Sequence, residues 1–248
     1  MSWIFLSPHF DDAAYSCGGL IWDLTRAGQR VEILTVCSGE PPPEALTPYA
    51  RSLHERWGVA GAEVTAARSA EDVRACQLLG AARRTLGVPD CIYRRLPDGS
   101  PLVEKEEDLW QPLPSEETAL VEWVADAISR EIEAGARVIS PAGVGGHVDH
   151  KLTRKAAEWI RGGGRRIRLG YYADFPYVLR ESGNSSEIEG AWRPEIFPVP
   201  DLALEKWGEA IALYGSQFSS FWKDAAEMQG QLAGYRTETG GCRLYWAA

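Results

Sequence analysis

Short apolar runs with strand character alternate along this chain with segments of helical periodicity, and this alternation constrains the fold most. The strand-like runs are residues 3–6, 31–37, 91–94, 137–140, 168–172 and 242–246. The segments with helical spacing are residues 17–27, 61–80, 118–134, 153–161 and 202–214. Because strands that alternate with helices form βαβ units, the sequence predicts an α/β fold with a mainly parallel sheet.

Residues 38–60 interrupt this alternation. They contain three consecutive prolines at positions 41–43 and are predicted to form a loop. So long a loop inside a compact domain often borders a functional site, although a passive surface insertion is equally consistent with it. No linker or low-complexity tract interrupts the rest of the chain, so residues 1–248 are expected to form one domain.

Composition and charge argue against several classes of partner. The net charge of -9 disfavours a nucleic-acid partner, because phosphate binding needs a basic surface. No run of 18 apolar residues predicts a membrane span, and the first residues lack the basic leader of a signal peptide. Five scattered cysteines without a CxxC pair indicate reduced thiols in a cytoplasmic protein. Self-association into a homo-oligomer is left open.

Three of the four histidines lie in two compact clusters, and each cluster follows a predicted strand. The first cluster is Ser7–Asp12 and the second is His147–His150. In open α/β sheets, ligands bind beyond the carboxyl ends of the strands, where the connections diverge. If strands 3–6 and 137–140 are neighbours, both clusters meet in one crevice.

These clusters contain the side chains that metal-assisted hydrolysis requires. Two histidines and one carboxylate form a three-ligand catalytic zinc set that leaves a position for water. The metal lowers the pKa of that water, and a nearby carboxylate can remove its proton. A purely structural interpretation instead treats Asp11, Asp12 and Asp149 as capping residues at helix starts, where acidic groups are favourable.

The two clusters together resemble the motifs of the PIG-L/LmbE family of zinc-dependent N-acetylglucosaminyl deacetylases. The family's Pro-His-x-Asp-Asp string stands here at Pro8–Asp12, shortly before the pair Gly18–Gly19. Its second motif, His-x-Asp-His, stands at His147–His150. Weaker matches extend the resemblance over nearly the whole chain, at Arg68–Glu71, Leu96–Gly99 and Ser216–Gln217.

The resemblance implies a Rossmann-like three-layer sandwich and a hydrolase that removes an N-acetyl group from an N-acetylglucosamine-type sugar or glycoconjugate. It implies His9, Asp12 and His150 as ligands of one Zn²⁺, or of another divalent transition metal. It implies Asp11 as the general base. It also implies that His147 stabilises the oxyanion and protonates the leaving amine.

The resemblance assigns further positions less directly. It implies that Asp149 orients His147 and favours its protonated form, and that Arg68 and Asp98 contact the sugar. The chain departs from the family pattern at Ala13 and Ala173, where many members carry glutamate. These departures bear on the wall of the pocket and on the substrate.

Two other classes of function remain open at this point. One is a metal-dependent amidase or esterase that acts on another small acylated metabolite. A phosphoesterase is disfavoured because the ligands suffice for one metal only. The other is a non-catalytic sugar-binding module, although the glycine fingerprint of dinucleotide binders does not follow the first strand.

A few residues outside the motifs admit a functional and a structural interpretation. Trp57 and Trp110 lie in loop-like regions where an indole can stack on a sugar ring, but most tryptophans are core residues. His54 and the pair Arg94–Arg95 are interpreted as solvated side chains.

Overall fold

The computed structural model describes residues 2–41, 46–59, 61, 63–180 and 192–247. Its strands are β1 Ser2–Ser7, β2 Arg30–Thr35, β3 Ala82–Thr85, β4 Arg137–Pro141, β5 Arg168–Tyr172, β6 Arg193–Phe197 and β7 Cys242–Trp246. Its helices are α1 Asp12–Arg26, α2 Pro48–Trp57, α3 Glu63–Leu79, α4 Thr118–Glu131, α5 Val148–Gly162, α6 Asp201–Ala212, α7 Gly215–Phe218 and α8 Ala225–Thr239. Short 3₁₀ turns lie at Glu106–Trp110, Ser115–Glu117 and Tyr177–Leu179.

The strands form one sheet with the order β3-β2-β1-β4-β5-β7-β6. The first five of these are parallel, whereas β7 runs antiparallel to both of its neighbours. The chain proceeds from β1 towards β3 on one side and from β4 towards β5 on the other. The junction of β1 and β4 is therefore the switch point at which an open α/β sheet forms its crevice.

Helices cover both faces of the sheet, and the alternation of side chains along each strand builds two cores. In β1, Phe5 belongs to the core under α1, α3, α6 and α8, whereas Leu6 belongs to the core under α4 and α5. In β2, Ile33 and Leu34 divide in the same way. Strands that are buried on both faces have continuous apolar sequences, and these sequences allowed the central strands to be predicted. The predicted Rossmann-like three-layer α/β fold is confirmed.

The prediction of a loop throughout residues 38–60 is wrong, because α2 lies within it. Proline occupies the first position of this helix, Thr47 Oγ1 accepts a hydrogen bond from the Ala50 amide at 3.0 Å, and Gly58 ends it in the left-handed region. These are ordinary start and stop signals of a helix. The prolines at 41–43 obscured them; residues 42–45 lie outside the described residues.

The prediction of a third strand at residues 91–94 is also wrong. The strand β3 lies earlier, at Ala82–Thr85. It is a half-buried edge strand, and because it contains Arg83 and Arg84 it lacks the apolar pattern of a central strand. The apolar side chains of Cys91 and Ile92 instead pack in a small third core with α2. A short apolar run cannot by itself distinguish a strand from a packed turn.

In the part of the chain that the structure describes, no helix is long and apolar enough to cross a membrane. All five cysteines are buried and none forms a disulfide. The cytoplasmic location and the possible homo-oligomer stay predictions.

The glycine pair of α1 permits close packing of α6. A Cβ at Gly18 would lie 2.6 Å from Trp207 Cδ1, and the indole is fully buried and donates to the carbonyl oxygens of Ala14 and Tyr15. Alanine normally stabilises a helix interior relative to glycine, but this ring has no room to retreat. We expect Gly18→Ala to lower the free energy of unfolding by about 1–3 kcal/mol in urea titrations.

Gly230 in α8 is the matched control for this prediction. A Cβ there meets nothing within 4 Å, and the residue is exposed. Gly230→Ala should therefore raise the free energy of unfolding by about 0.5–1 kcal/mol. Equal gains for both variants would contradict the packing argument.

Candidate active site

The two histidine clusters meet at the carboxyl ends of neighbouring parallel strands. β1 and β4 pair in register, with Trp3 opposite Arg137. His9 follows β1 directly and Asp12 is the first residue of α1. His147 caps the N-terminus of α5, and His150 lies in the first turn of that helix.

Three side chains present metal-ligating atoms to one point. His9 Nδ1 lies 3.1 Å from Asp12 Oδ2, and His150 Nε2 lies 3.2 Å from Asp12 Oδ1. The three ligand atoms are all within 4.8 Å of one another. Among the described residues, the buried His150 Nε2 has this close contact with Asp12 but no aligned hydrogen bond, which a metal bound between the two would explain. Two imidazoles and a carboxylate are the donor set of a catalytic zinc site, so these residues fit the ion.

Each of the two candidate histidine ligands has a carboxylate against its other ring nitrogen. His9 Nε2 lies 3.0 Å from Asp149 Oδ2, and His150 Nδ1 lies 2.6 Å from Asp174 Oδ1. Asp174 is held in turn by the Val144 amide of the glycine-rich loop, at 2.8 Å. Such contacts select the tautomer that leaves the opposite nitrogen free for a metal. Sequence reasoning missed this use of Asp174.

Asp149 does not orient His147 in the way that the sequence suggested. Its carboxylate contacts His9, Arg94 and the Cys91 amide, whereas the His147 ring accepts at Nδ1 from the backbone amide of Asp149, at 3.2 Å. Burial and the nearby His9 and His150 hold the pKa of His147 well below its usual value. This environment favours the neutral ring, and the hydrogen bond accepted at Nδ1 then places its proton on Nε2; the expected roles of His147 and Asp149 stay predictions.

Asp11 lies beside the ligand cluster in a buried position. Its Oδ1 is 3.4 Å from Arg68 Nη2. Burial and the neighbouring carboxylate of Asp12 raise the pKa of Asp11 to about 6. The side chain is thus mostly ionised at neutral pH but is more basic than an ordinary aspartate, which suits a group that exchanges protons during a reaction.

A cavity opens over these residues, and several of its walls come from elements that the sequence did not predict. The helix α2 contributes Arg56 and Trp57, and the turn Glu106–Trp110 contributes Glu106 and Trp110. The remaining wall residues include Tyr177, Arg180, Gln217 and Phe221. The region expected to be a loop therefore does border the site, through a helix.

Of the two residues expected to contact the sugar, the structure places one in the cavity and the other outside it. Arg68 lines the cavity, but Asp98 lies on an exposed turn where its carboxylate accepts from Ser100. Asp90 occupies the cavity wall instead, with Oδ2 3.7 Å from Arg68 Nη1 and 3.6 Å from His9 Nε2. The misplaced third strand hid this residue, because Asp90 follows β3 at the same edge of the sheet as the two clusters.

Two side chains expected to be solvated are buried. His54 is 3% exposed and contacts Tyr93 Oη at 2.6 Å. Arg94 is 7% exposed and reaches Asp149. The two alanines at the departures from the family pattern, Ala13 and Ala173, are also buried.

This fold, with a histidine and carboxylate cluster at its switch point, is that of a PIG-L-type deacetylase. Residues 4–160 match the PIG-L family, described as GlcNAc-PI de-N-acetylase, and the chain belongs to this family. It is 38% identical over 225 residues to 2'-N-acetylparomamine deacetylase of Streptomyces fradiae, covering 86% of this chain and 72% of that protein. It is 30% identical over 277 residues to the enzyme of the same name from Niallia circulans, covering 99% and 90%.

The solved structure of the zinc-inhibited form of teicoplanin deacetylase is also similar. It has a TM-score of 0.85 and 27% identity, with coverage of 99% of this chain and 97% of that one. The prediction of an N-acetyl-sugar deacetylase is confirmed by these relatives, and the interpretation as a non-catalytic sugar-binding module is set aside.

Proposed function

We propose that this protein is a zinc-dependent deacetylase that hydrolyses the N-acetyl group of a glucosamine ring within a small amino-sugar glycoside, releasing acetate and a free amine. The observation that carries the proposal is the cluster of His9, Asp12 and His150 with Asp11 beside it, at the base of a cavity. The similarity to two 2'-N-acetylparomamine deacetylases supports an aminoglycoside-like substrate.

His9, Asp12 and His150 would hold one Zn²⁺, or another divalent transition metal, with the opposite ring nitrogens donating to Asp149 and Asp174. A zinc ion in such a site polarises the acyl carbonyl and makes water a better nucleophile. The buried carboxylates of Asp149 and Asp174 hold the two imidazole rings in the orientation that binds the metal, so the rings need not reorient during the reaction.

The chain's own residues carry the proton transfers. Asp11 accepts a proton from the attacking water, and its raised pKa makes it a competent base. His147 does not transfer a proton in this scheme; its Nε2–H donates a hydrogen bond to the oxygen of the scissile amide as negative charge develops there. When the C–N bond breaks, Asp11 returns the proton to the leaving nitrogen. This assignment replaces the expected protonation by His147, because the neutral ring has no second proton to give.

Substrate recognition would use the walls of the same cavity. Arg68 and Asp90 offer a donor and an acceptor beside Asp11, a combination suited to sugar hydroxyl groups. Trp57 and Trp110 offer aromatic surface, although Arg68 already lies over the Trp57 ring at 4.9 Å. Asp90 and Glu106 add carboxylates that would pair with the amines of an aminoglycoside, while Arg56, Arg68 and Arg180 line the same cavity.

Acetate release from 2'-N-acetylparomamine tests this proposal directly. The zinc-loaded protein should release acetate and a primary amine in equal amounts, whereas the chelated protein should release neither. N-acetylglucosamine should be a poorer substrate because it fills less of the cavity. If the zinc-loaded protein releases no acetate from a panel of N-acetylated amino-sugar glycosides, the proposed substrate class is wrong.

A further inference from the structure

Three charged side chains that no motif predicts as a group form a buried row behind the ligand cluster. Arg94 Nη1 donates to Asp149 Oδ1 at 2.6 Å, and Arg94 Nη2 lies 2.7 Å from Glu117 Oε2. All three side chains are at most 8% exposed. The row continues from Asp149 Oδ2 to His9 Nε2 at 3.0 Å, so the order is Glu117, Arg94, Asp149 and then His9.

Burying three charges is costly, and well-packed apolar side chains would give the fold as much stability. Stability of the fold therefore does not explain why these three charged side chains are buried together. Arg94 has two contacts besides Asp149: the Pro89 carbonyl accepts from the same Nη1 at 3.1 Å, and Glu117 lies against Nη2. Its planar guanidinium can hold one oxygen of Asp149 in a fixed direction, which leaves the other oxygen aimed at His9.

We propose that Arg94 is a positioning residue for the metal ligand His9. It holds the Asp149 carboxylate so that Oδ2 accepts the Nε2 proton of His9, which keeps Nδ1 free on the side of Asp12. Glu117 supplies an opposite charge on the far side of the guanidinium, where Nη2 and Oε2 form a close ion pair without an aligned hydrogen bond. This inference rests on the proposed metal site and extends it through two further residues to the start of α4.

The test is the zinc dissociation constant, measured by competition with a chromogenic chelator. Arg94→Lys keeps the charge but cannot span both carboxylates. We expect the folded variant to bind zinc about 10–100-fold more weakly than the wild type, as other disrupted outer contacts of metal ligands do. Arg84→Lys is the matched control, because Arg84 also bridges two carboxylates, Glu32 and Glu131, outside the cavity. Its zinc affinity should equal that of the wild type.

A second pair of variants tests whether Arg94 acts through Asp149. This test can still be carried out if Arg94→Lys does not fold. Asp149→Asn leaves the buried Arg94–Glu117 ion pair in place, and the triple variant Arg94→Met, Glu117→Gln and Asp149→Asn removes all three buried charges together. We expect both to bind zinc equally weakly, since the arginine has nothing left to orient. A further tenfold loss in the triple variant overturns the inference, as does wild-type zinc affinity in folded Arg94→Lys. A wild type that binds no zinc overturns the proposed function itself.

Discussion

Replacing Asp11 with asparagine is expected to lower kcat by a factor of about 10² to 10⁴ while the protein keeps its zinc. The amide is close in size to the carboxylate and can still face Arg68, so the cavity should keep its shape. What it loses is the ability to take a proton from water and return it to the leaving nitrogen. The measurement is acetate release under saturating substrate, together with the zinc content of the purified variant.

Asp90→Asn is the matched control for this substitution. Asp90 also lies beside Arg68, with Oδ2 3.7 Å from Nη1, but is proposed to contact the sugar and not the reacting water. We expect its KM to rise with a smaller change in kcat, because it contributes mainly to binding. If Asp11→Asn retains full kcat with zinc bound, Asp11 is not the base. If the two variants show the same loss of kcat, the division of roles between them is wrong.

Replacing His150 with alanine should abolish both metal binding and activity. The substitution removes one of three ligands, so the loss of zinc affinity should exceed the roughly 100-fold upper range for outer contacts. The activity should fall to that of the chelated wild type. Zinc content after dialysis against a weak chelator and the rate of acetate release measure the two effects separately.

His54→Gln provides the comparison, because His54 is also buried but contacts Tyr93 and is not part of the ligand cluster. Glutamine can keep a hydrogen bond to the phenol, so this variant should retain one zinc per chain and most of the activity. Stoichiometric zinc in folded His150→Ala would remove this histidine from the ligand set.

The strands and the position of the site could be predicted because their signals are local. Strands β1 and β4 are apolar on both faces, which marks them as central strands of a parallel sheet. His9 and His147 lie in the segments that follow these two strands, and the topology of parallel sheets places the carboxyl ends of the strands side by side. The motif strings then indicated the chemistry, and the relatives confirm the N-deacetylase class.

The sequence was less informative where a segment's structure depends on distant partners. The edge strand β3 carries charged residues whose burial depends on packing against Glu32 and Asp72, so its pattern resembles a surface turn. Asp90 follows that strand and was missed with it. By contrast, Asp98 has the expected flanking residues but lies on an exposed turn.

The sequence alone determined the class of fold, the edge of the sheet that carries the site, and the residue types available there. Only the tertiary structure decided which carboxylate contacts which histidine ring. Asp149 stands two residues after His147 but turns its side chain to His9, 140 positions away. Arg94 and Glu117 complete the row behind it. Side chains on a helix project in directions set by its placement on the sheet, and adjacency in sequence does not specify those directions.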